Sequence, residues 1–502
     1  MGSKYDITCP YCFHHFMDTQ VHFRMETVFD ENNLNDEGLS ARELERGMNN
    51  ERTKYLREQT DKRKQFLSRD DKKYTDFWEK FKGTTESTRD KKFQCGIHQL
   101  PVFDPADATV QKFLIKQREG SGNPVEDYFI YDDDGMVNGI QDVFGCKTVR
   151  RVCPECHNPL PLHYGKNPTN FISVIGVTGA GKTIYLSQLL KYIVKYTAFA
   201  NMAAYFTTDN EQNFILTNPV ELDKPLPKPS MEGQISQPLF YDLQWATGSE
   251  TSTTRTVVIY DVAGEDCMSA DNMLTYGKFV LESDGIILLI DPSQLDLHTP
   301  GNEQMSHTAS AEPTLVLTTI HNAFTKEANK KITIPIAVCV PKSDMFVQLV
   351  PDENGARNII RSDISPVMED NSDVCKGQFN AEQYNIVEPA IRKLINLELR
   401  TALANNYTNY NYFAFSATGC PVSYREEDKQ YYLTAPPSPL RISEPLLWMF
   451  KQFGYISANS RIILPVPRAQ HKIQVVRRKL FRNITEERDM TPEEKEALQY
   501  EE

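Results

Sequence analysis

The chain has 502 residues, of which 40% are hydrophobic and 25% are charged, and its formal net charge is −13. These values are typical of globular proteins and leave room for two or three domains. The negative charge argues against general nucleic-acid binding, which needs clustered lysine and arginine. No apolar run approaches the roughly 20 residues that span a bilayer, and no signal-type segment follows Met1, so we expect a cytoplasmic protein.

The first region, residues 1–165, contains two Cys-x-x-Cys pairs, formed by Cys9 with Cys12 and by Cys153 with Cys156. In a reducing compartment such pairs indicate a metal before a disulfide. Each pair forms a turn that aims two thiolates at one ion, and four thiolates are a ligand set of structural zinc. Because residues 13–152 separate the pairs, a zinc ribbon here must carry an insertion at about 13–150. Two independent or redox-active pairs are the alternative.

The middle of this insertion, residues 40–92, is rich in Glu, Arg, Lys and Asp and has only a sparse apolar stripe (Leu44, Tyr55, Leu56, Phe66, Leu67). It predicts one or two solvated helices, either an interaction arm or a decoration without a partner. Cys95 and His98 could hold a second metal, although no partner residues are evident. Cys146 and His157 are possible substitutes in the zinc site.

Residues 166–456 alternate β-branched runs with amphipathic segments, which is typical of βαβ units in an α/β fold. Continuous apolar strands favour a mostly parallel sheet with helices on both faces. The predicted strands are Phe171–Gly176, Leu239–Gln244, Thr256–Val262, Gly285–Asp291, Ile334–Pro341 and Tyr412–Ser416. The predicted helices are Lys182–Lys195, Ser269–Ser283, Ala309–Ala328, Val387–Asn406 and Pro445–Phe453.

Three further segments are less regular. Residues 209–236 and 350–384 are predicted to be inserted loops, because the motifs on either side of them are far apart in the chain. The last region, 457–502, predicts either a short strand with a charged helix or a partly disordered tail.

A phosphate-binding loop follows the first predicted strand, where residues 176–183 read GVTGAGKT and fit G-x-x-x-x-G-K-[ST]. Glycines let backbone N–H groups curl around a β-phosphate, and the following helix N-terminus favours negative charge. Lys182 would reach the β and γ oxygens, and Thr183 would offer its hydroxyl to Mg²⁺. The predicted nucleotide contacts here are Gly176, Gly179, Ala180, Gly181, Lys182, Thr183 and Ile184.

An Asp-x-x-Gly pattern, Asp261 to Gly264, ends the predicted strand Thr256–Val262. An acidic residue at the end of a buried strand is where a second Mg²⁺ contact is expected, usually through a water. Gly264 would let its backbone N–H approach the γ-phosphate.

Two later motifs also follow predicted strands, Pro341-Lys342-Ser343-Asp344 after IPIAVCV and Ser416-Ala417-Thr418-Gly419 after YFAF. The Asp344 carboxylate can accept hydrogen bonds from guanine N1–H and the exocyclic amine, a donor pair that adenine lacks. The aliphatic stem of Lys342 can lie across the base face. An ordinary surface turn is the alternative for this segment.

The order of these four motifs resembles the TRAFAC-class GTPases over roughly residues 171–456. In that class [NT]-K-x-D reads the base and S-A-[KLT] completes its pocket, so the resemblance implies GTP or GDP with Mg²⁺ and adds Ser416, Ala417 and Thr418 to the site. The chain departs from the class at Pro341, where Asn or Thr is usual. It departs again at Glu265, where many small GTPases carry a water-orienting Gln. The switch threonine has no convincing position; Thr217, Ser230 and Ser236 are the candidates.

The cysteine pairs and large inserts also look like those of bacterial double-GTPase-type proteins, which are often encoded beside partner modules in defence or conflict systems, or other multi-protein assemblies.

The first functional hypothesis is a GTP-hydrolysing switch that controls a partner protein of unknown identity, with Lys182 and Glu265 as catalytic groups. A carboxylate near a γ-phosphate is unfavourable, so turnover is expected to be slow or partner-dependent. A nucleotide-bound scaffold with little hydrolysis is the second, and a P-loop ATPase, against which Asp344 argues, is the third.

Overall fold

A computed structural model describes residues 5–24, 71–81, 102–107, 129–141, 147–176, 179–199, 202–228, 237–246, 251–275, 277–292, 312–325, 330–363, 378–458, 472–479 and 482–489. Several sequence predictions lie outside these ranges: the apolar stripe of residues 44–67, Cys95, His98, Cys146, Ser230 and Ser236.

A seven-stranded sheet forms the core of the molecule, in the order β10-β11-β12-β9-β13-β14-β16. The five strands from β12 to β16 are parallel, and β10 and β11 extend the sheet antiparallel at one edge. All residues of β13 and β14 are buried, as expected for strands covered on both faces. The sheet strands are β9 Thr169–Gly176, β10 Ala203–Phe206, β11 Leu239–Ala246, β12 Ser252–Ala263, β13 Gly285–Leu289, β14 Ile336–Val340 and β16 Tyr410–Ala414.

The register of this sheet aligns the carboxyl ends of its parallel strands. Gly176 at the end of β9 lies opposite Ala263 of β12 on one side and Leu289 of β13 on the other. Val340 of β14 pairs with Ala414 of β16. The loops that follow five neighbouring strands therefore emerge along one edge, where ligands bind in open α/β sheets.

The helices pack around this sheet and the N-terminal region. They are α1 Lys72–Trp78, α2 Lys182–Phe199, α3 Asn210–Thr217, α4 Ala270–Thr275, α5 Lys278–Leu281, α6 Pro313–Phe324, α7 Ser343–Phe346, α8 Ala356–Ile360, α9 Ala381–Leu394, α10 Leu397–Asn406 and α11 Glu444–Gln452.

Two helices predicted as continuous are in fact divided. The predicted continuous helix Ser269–Ser283 is wrong, because α4 and α5 are separate helices. Gly277 precedes α5, at a position where a side chain would collide with Met273. The predicted helix Val387–Asn406 is likewise two helices. Asn396 is extended and its side chain accepts the backbone N–H of Leu399, which makes it the N-cap of a new helix.

The irregular segments also contain more structure than predicted. The segment 209–236 contains α3, and 350–384 contains α8 and the short strand β15 Gln378–Phe379, which pairs with β19 Ser457–Ala458. A further hairpin joins β17 Val422–Arg425 to β18 Gln430–Leu433. The C-terminal region holds two antiparallel strands, β20 Lys472–Lys479 and β21 Arg482–Asp489, where either a short strand with a charged helix or a partly disordered tail was predicted. Its β-branched residues favour strands.

The N-terminal region contains short strands in addition to a helix, and the strands within residues 13–150 were not predicted. Its strands are β1 Asp6–Thr8, β2 His15–Met17, β3 His22–Arg24, β4 Val102–Phe103, β5 Phe129–Tyr131, β6 Val137–Gln141, β7 Lys147–Thr148 and β8 Arg151–Val152.

Helix α1 lies in the described part of the polar segment 40–92, residues 71–81, and one of its faces is buried. Tyr74, Phe77 and Trp78 are buried, and the Trp78 indole donates to Asn158 at 2.8 Å. Tyr11 packs edge-on against Phe77 and Trp78, so the aromatic face of α1 covers the first cysteine turn. None of the helices in the described part of the chain has the length and apolarity that a membrane crossing requires.

Candidate nucleotide site and cysteine cluster

The phosphate-binding loop connects β9 to α2 as the sequence predicts. Gly179 and Gly181 have φ angles of 91° and 78°, in the left-handed region that residues with a Cβ rarely adopt. The backbone N–H of Tyr185 bonds to the carbonyl of Gly181 at 2.8 Å and starts the helix. Ala180 is buried, and Ile184 is half-buried at the first turn of α2. The loop therefore presents the N-terminus of α2 at the carboxyl edge of the sheet.

Lys182, at the start of α2 after β9, contacts Asp261 of the neighbouring strand β12. The Lys182 ammonium lies 2.9 Å from Oδ1 of Asp261 and donates to the carbonyl of Val262 at 2.6 Å. Both side chains are buried, and Thr183, the next residue along α2, is also buried. The structure thus brings together the predicted phosphate-binding cation and both predicted Mg²⁺ ligands.

Glu265 lies directly beyond this pair. Gly264 begins a short 3₁₀ helix, Gly264–Cys267, which places Glu265 half-buried one residue after the end of the Asp-x-x-Gly motif. Cys267 follows in the same turn, and burial raises its pKa to about 12, so this thiol stays protonated and unreactive at neutral pH. Among the candidate switch residues, Thr217 donates its hydroxyl to Asn213 within α3 at 2.7 Å.

Lys342 joins the base-reading loop to the phosphate-binding loop. It adopts a left-handed conformation, with φ 60° and ψ 39°, directly before α7. Its ammonium donates to the carbonyl of Gly179 at 2.8 Å and to Oδ2 of Asp291 at 2.7 Å. Asp291 lies outside the four sequence motifs. The available signal was an acidic residue two positions after the end of β13, the strand that pairs with β9.

Asp344 carries an oxygen atom that suits a base with two N–H donors. Its Oδ1 is buried, and no hydrogen-bond partner for this atom occurs within the described residues. A buried carboxylate oxygen that accepts no hydrogen bond is costly. Guanine presents N1–H and an exocyclic amine to such a carboxylate, so the residue present fits the base that the motif predicts.

The Ser416-Ala417-Thr418 loop is bound to the base-reading loop. The backbone N–H of Ser343 donates to the carbonyl of Phe415 at 3.0 Å, and Ser416 pairs with Leu440 through two backbone hydrogen bonds. The Ser416 hydroxyl accepts the N–H of Gly419 at 2.8 Å. Ala417 is buried, and the hydroxyl of Thr418 donates to the carbonyl of Cys420 at 3.0 Å. The fourth motif therefore supports the third at the end of the neighbouring strand.

The four predicted zinc ligands converge into one cluster. The Sγ atoms of Cys9, Cys12, Cys153 and Cys156 all lie within 4.8 Å of one another. Sγ of Cys9 is 3.7 Å from that of Cys156, and Sγ of Cys12 is 3.6 Å from that of Cys153. Sulfur ligands at about 2.3 Å from a tetrahedral zinc ion stand roughly 3.8 Å apart, so the donor set fits zinc.

The pKa shifts of the clustered thiols also favour a cation at the centre of the cluster. Burial, together with hydrogen bonds among the cysteines, raises the pKa of Cys9 and of Cys156. Hydrogen bonds from the other three cysteines lower the pKa of Cys12. A cation at the centre of the cluster would let all four ionise, as metal binding requires.

Backbone and amide N–H groups orient the sulfur atoms from outside. The N–H of Tyr11 points to Sγ of Cys9 and that of Glu155 to Sγ of Cys153, each at 3.4 Å. The Asn158 amide donates to Sγ of Cys156 at 3.3 Å. His157, a possible substitute ligand, instead bonds through Nδ1 to Asp71 at 2.7 Å and through Nε2 to His22 at 3.1 Å.

Residues 170–385 match the family model described as Double-GTPase 2. The chain resembles the double-GTPase proteins. The predicted resemblance to P-loop GTPases is thereby confirmed, and a GTP-binding P-loop protein is the function that this match supports. The matched residues run from β9 into α9 and contain the phosphate-binding loop, the Asp-x-x-Gly motif and the base-reading loop.

The chain is also similar to one curated protein and to several solved structures. The chain is 24% identical over 334 residues to "Putative ESX-1 scaffolding and assembly protein SaeC" from Mycolicibacterium smegmatis, across 61% of this chain and 80% of that protein. Among solved structures it is similar to Sup35 complexed with GDP, with a TM-score of 0.20, 12% identity, and 50% of this chain matched to 38% of that one.

Two further solved structures are similar at the same level. An Era variant from Aquifex aeolicus bound to GDP and AlF₄⁻ gives a TM-score of 0.20 and 13% identity, with 50% of this chain matched to 52% of that one. The Ski7 GTPase-like domain of S. cerevisiae, bound to GDP and inorganic phosphate, gives 0.24 and 13%, with 50% matched to 44%. The chain thus spans about half or less of each structure.

The cysteine cluster packs directly on the region that matches the Double-GTPase 2 model, residues 170–385, called the double-GTPase region below. The Tyr260 hydroxyl of β12 donates to the carbonyl of Pro10 at 2.9 Å, and the Lys278 ammonium of α5 donates to the carbonyl of Cys12. The Phe13 ring lies among Phe171, Tyr260 and Phe279, with ring centroids 5.5 to 5.8 Å apart. The first cysteine turn therefore contributes to the hydrophobic core beneath β9 and β12.

Proposed function

We propose that the chain is a GTP-hydrolysing switch whose nucleotide state controls the assembly of a partner protein. The observation that carries the proposal is the convergence of Lys182, Asp261, Lys342 and Asp344 at one edge of the sheet, through the contacts described above. A cation for phosphates and a carboxylate for a base stand on loops that Lys342 connects.

The phosphate end of the site would work through charge neutralisation. The N–H groups of residues 179–181 and the ammonium of Lys182 would bind the β and γ oxygens. Thr183 and Asp261 would hold Mg²⁺, which when bound neutralises charge on the transferring phosphoryl group. Lys182 now contacts Asp261 and Val262, so nucleotide binding would exchange those contacts for phosphate oxygens.

Glu265 is the group we propose for positioning the attacking water. It stands immediately after Gly264, whose backbone N–H would approach the γ-phosphate. A carboxylate can accept a hydrogen bond from water and orient it, but its charge repels the phosphate oxygens. Turnover would therefore be slow until a partner shields or moves this carboxylate.

The segment that follows Glu265 is suited to changing shape with the nucleotide. Between Gly264 and Leu281 the described residues form the 3₁₀ turn, α4 and α5, each of six residues or fewer. Short elements open at lower free-energy cost than long ones, as switch segments require. The relative named for scaffolding and assembly favours an assembly role for the partner over a defence role.

A nucleotide-bound scaffold with little hydrolysis is the second candidate. The carboxylate at Glu265 and the scaffolding name of the relative both favour it. The two candidates differ only in turnover, since each requires guanine nucleotide in the same pocket.

The base assignment is tested by exchanging one atom of Asp344. Asn at this position would keep an acceptor for base N1–H and gain a donor for the 2-oxo group of xanthine. Asp344→Asn is therefore expected to weaken GDP binding and strengthen XDP binding, each by at least about tenfold. Asp133→Ala, an exposed acid in the N-terminal region, is the matched control and should leave both affinities unchanged. Unaltered preference for GDP in Asp344→Asn would contradict the base assignment.

Turnover is then measured with the whole chain. In single-turnover assays the switch hypothesis expects γ-phosphate release that Glu265→Ala reduces by about tenfold or more, while the affinity for GDP changes less than about twofold. Bound GTP that persists unhydrolysed, with or without co-purifying partner, would favour the scaffold instead.

A further inference from the structure

Three loops meet at the ammonium group of Lys342, and the third is the loop after β13. Lys342 contacts the carbonyl of Gly179 at 2.8 Å and Oδ2 of Asp291 at 2.7 Å. The Asp291 side chain is 13% exposed and that of Lys342 is 38% exposed. The cation is therefore held on one side by a mostly buried carboxylate and on the other by the phosphate-binding loop.

The base-reading loop needs such a contact because Pro341 has no side-chain donor or acceptor. Asn or Thr at this position could bond to a neighbouring loop, whereas the proline ring cannot. The side-chain contact to the phosphate-binding loop then comes from Lys342, whose long side chain loses rotamer entropy when it is fixed. A carboxylate that fixes the ammonium before the nucleotide binds reduces the side-chain entropy that is lost on binding.

We propose that Asp291 is a positioning residue that holds Lys342 against the phosphate-binding loop and so sets the guanine selectivity of the pocket. This inference rests on the proposed binding of guanine nucleotide. Asp291 acts through Lys342: it orients the stem that would cover the base and aligns the loop that carries Asp344.

The negative charge of Asp291 leads to a second expectation about nucleotide binding. A side chain at Gly179 would begin 3.9 Å from Oδ2 of Asp291, so this carboxylate stands beside the loop that would bind phosphates. Lys342 lies 2.7 Å from this carboxylate, so removing Lys342 would leave more negative charge beside the phosphates. Lys342→Ala should therefore weaken nucleotide binding more than Asp291→Ala, and removing Asp291 as well should restore part of the loss.

The test is a double-mutant cycle on the whole chain with fluorescent GDP as the probe and ADP as the competitor. Asp291→Ala is expected to weaken GDP binding by about tenfold and to lower the GDP-to-ADP preference, since a fixed ion pair to a charged group is lost. Asp291→Asn keeps an acceptor for the ammonium, so its GDP affinity should lie between those of the wild type and Asp291→Ala. In a Lys342→Ala background Asp291→Ala should weaken GDP binding no further and should restore part of the affinity that Lys342→Ala loses.

Selectivity separates a positioning role from a merely structural one. A folding defect lowers the number of active sites per chain but leaves the affinity and the base preference of the remainder unchanged. Wild-type affinity and preference in Asp291→Ala, or a full tenfold loss in both backgrounds, would overturn the inference while the proposed function stands. Absence of saturable nucleotide binding by the unaltered chain would overturn the proposed function and the inference together.

Discussion

Lys182 stands among oxygen atoms that compete with a phosphate for its charge. It is buried, contacts Asp261 and the Val262 carbonyl, and lies at the first position of α2. A buried ammonium needs an anionic or polar partner at all times, so the Asp261 and Val262 oxygens keep Lys182 satisfied until phosphate oxygens replace them.

Lys182→Ala is expected to abolish GTP binding or weaken it by at least about a hundredfold, because the charge-assisted contacts to the β and γ oxygens disappear. Fluorescence titration of the purified chain measures the loss. Lys191→Ala, an exposed lysine on the same helix, is the matched control and should bind as the wild type does. Equal affinity in the two variants would show that the nucleotide does not use this loop.

The sequence was sufficient to predict these residues because the chemistry of each motif is local. Every motif occupies a few consecutive residues directly after a buried apolar strand, and parallel strands place such loops at one edge. The contact between Asp291 and Lys342 was not predictable in this way. It depends on the pairing of β13 with β14, which no local sequence pattern indicates. A single acidic residue after a strand is also too common a pattern to identify a functional residue.

At the scale of elements, the apolar strands were predicted well and the helices less well. Five continuous apolar runs gave the parallel strands because both of their faces are covered. The division at Asn396 depends on one capping hydrogen bond, which apolar periodicity does not reveal. The edge strand β10 and helix α3 were missed because short half-exposed segments have weak periodicity.

The first cysteine turn provides a test at this scale. Phe13→Ala is expected to lower the free energy of unfolding by about 3 kcal/mol, since it empties a buried aromatic site between the cysteine cluster and β9. Chemical denaturation measures the change. His14→Ala, at the exposed neighbouring position, should have little effect. Identical stability of the two variants would contradict the packing of this turn on the sheet.

At the scale of the whole molecule, the cysteine cluster joins distant parts of the chain. Two pairs of thiols separated by residues 13–152 come together, and the first turn packs on the double-GTPase region. The sequence predicted the ligand set from spacing and chemistry. It did not predict the packing of the cluster on the sheet or the burial of α1, because neither is encoded in a local pattern.

Zinc content tests this connection. Elemental analysis is expected to find about one zinc ion per chain, and Cys153→Ser should remove it and lower the melting temperature, because a structural zinc site contributes directly to folding. Cys420→Ser is the matched control: Cys420 donates to the Ala435 carbonyl at 3.3 Å, a contact that serine can keep. Full zinc occupancy in Cys153→Ser would rule out the four-cysteine site.

The most direct test of the account is calorimetric titration of GDP into the whole chain with Mg²⁺ present, followed by competition with GTP and with ATP. The account predicts saturable uptake at about one site per chain, displaced by GTP and not by ATP, because Asp344 reads guanine and Lys182 holds the phosphates. Absence of saturable uptake, or equal displacement by ATP, would contradict it.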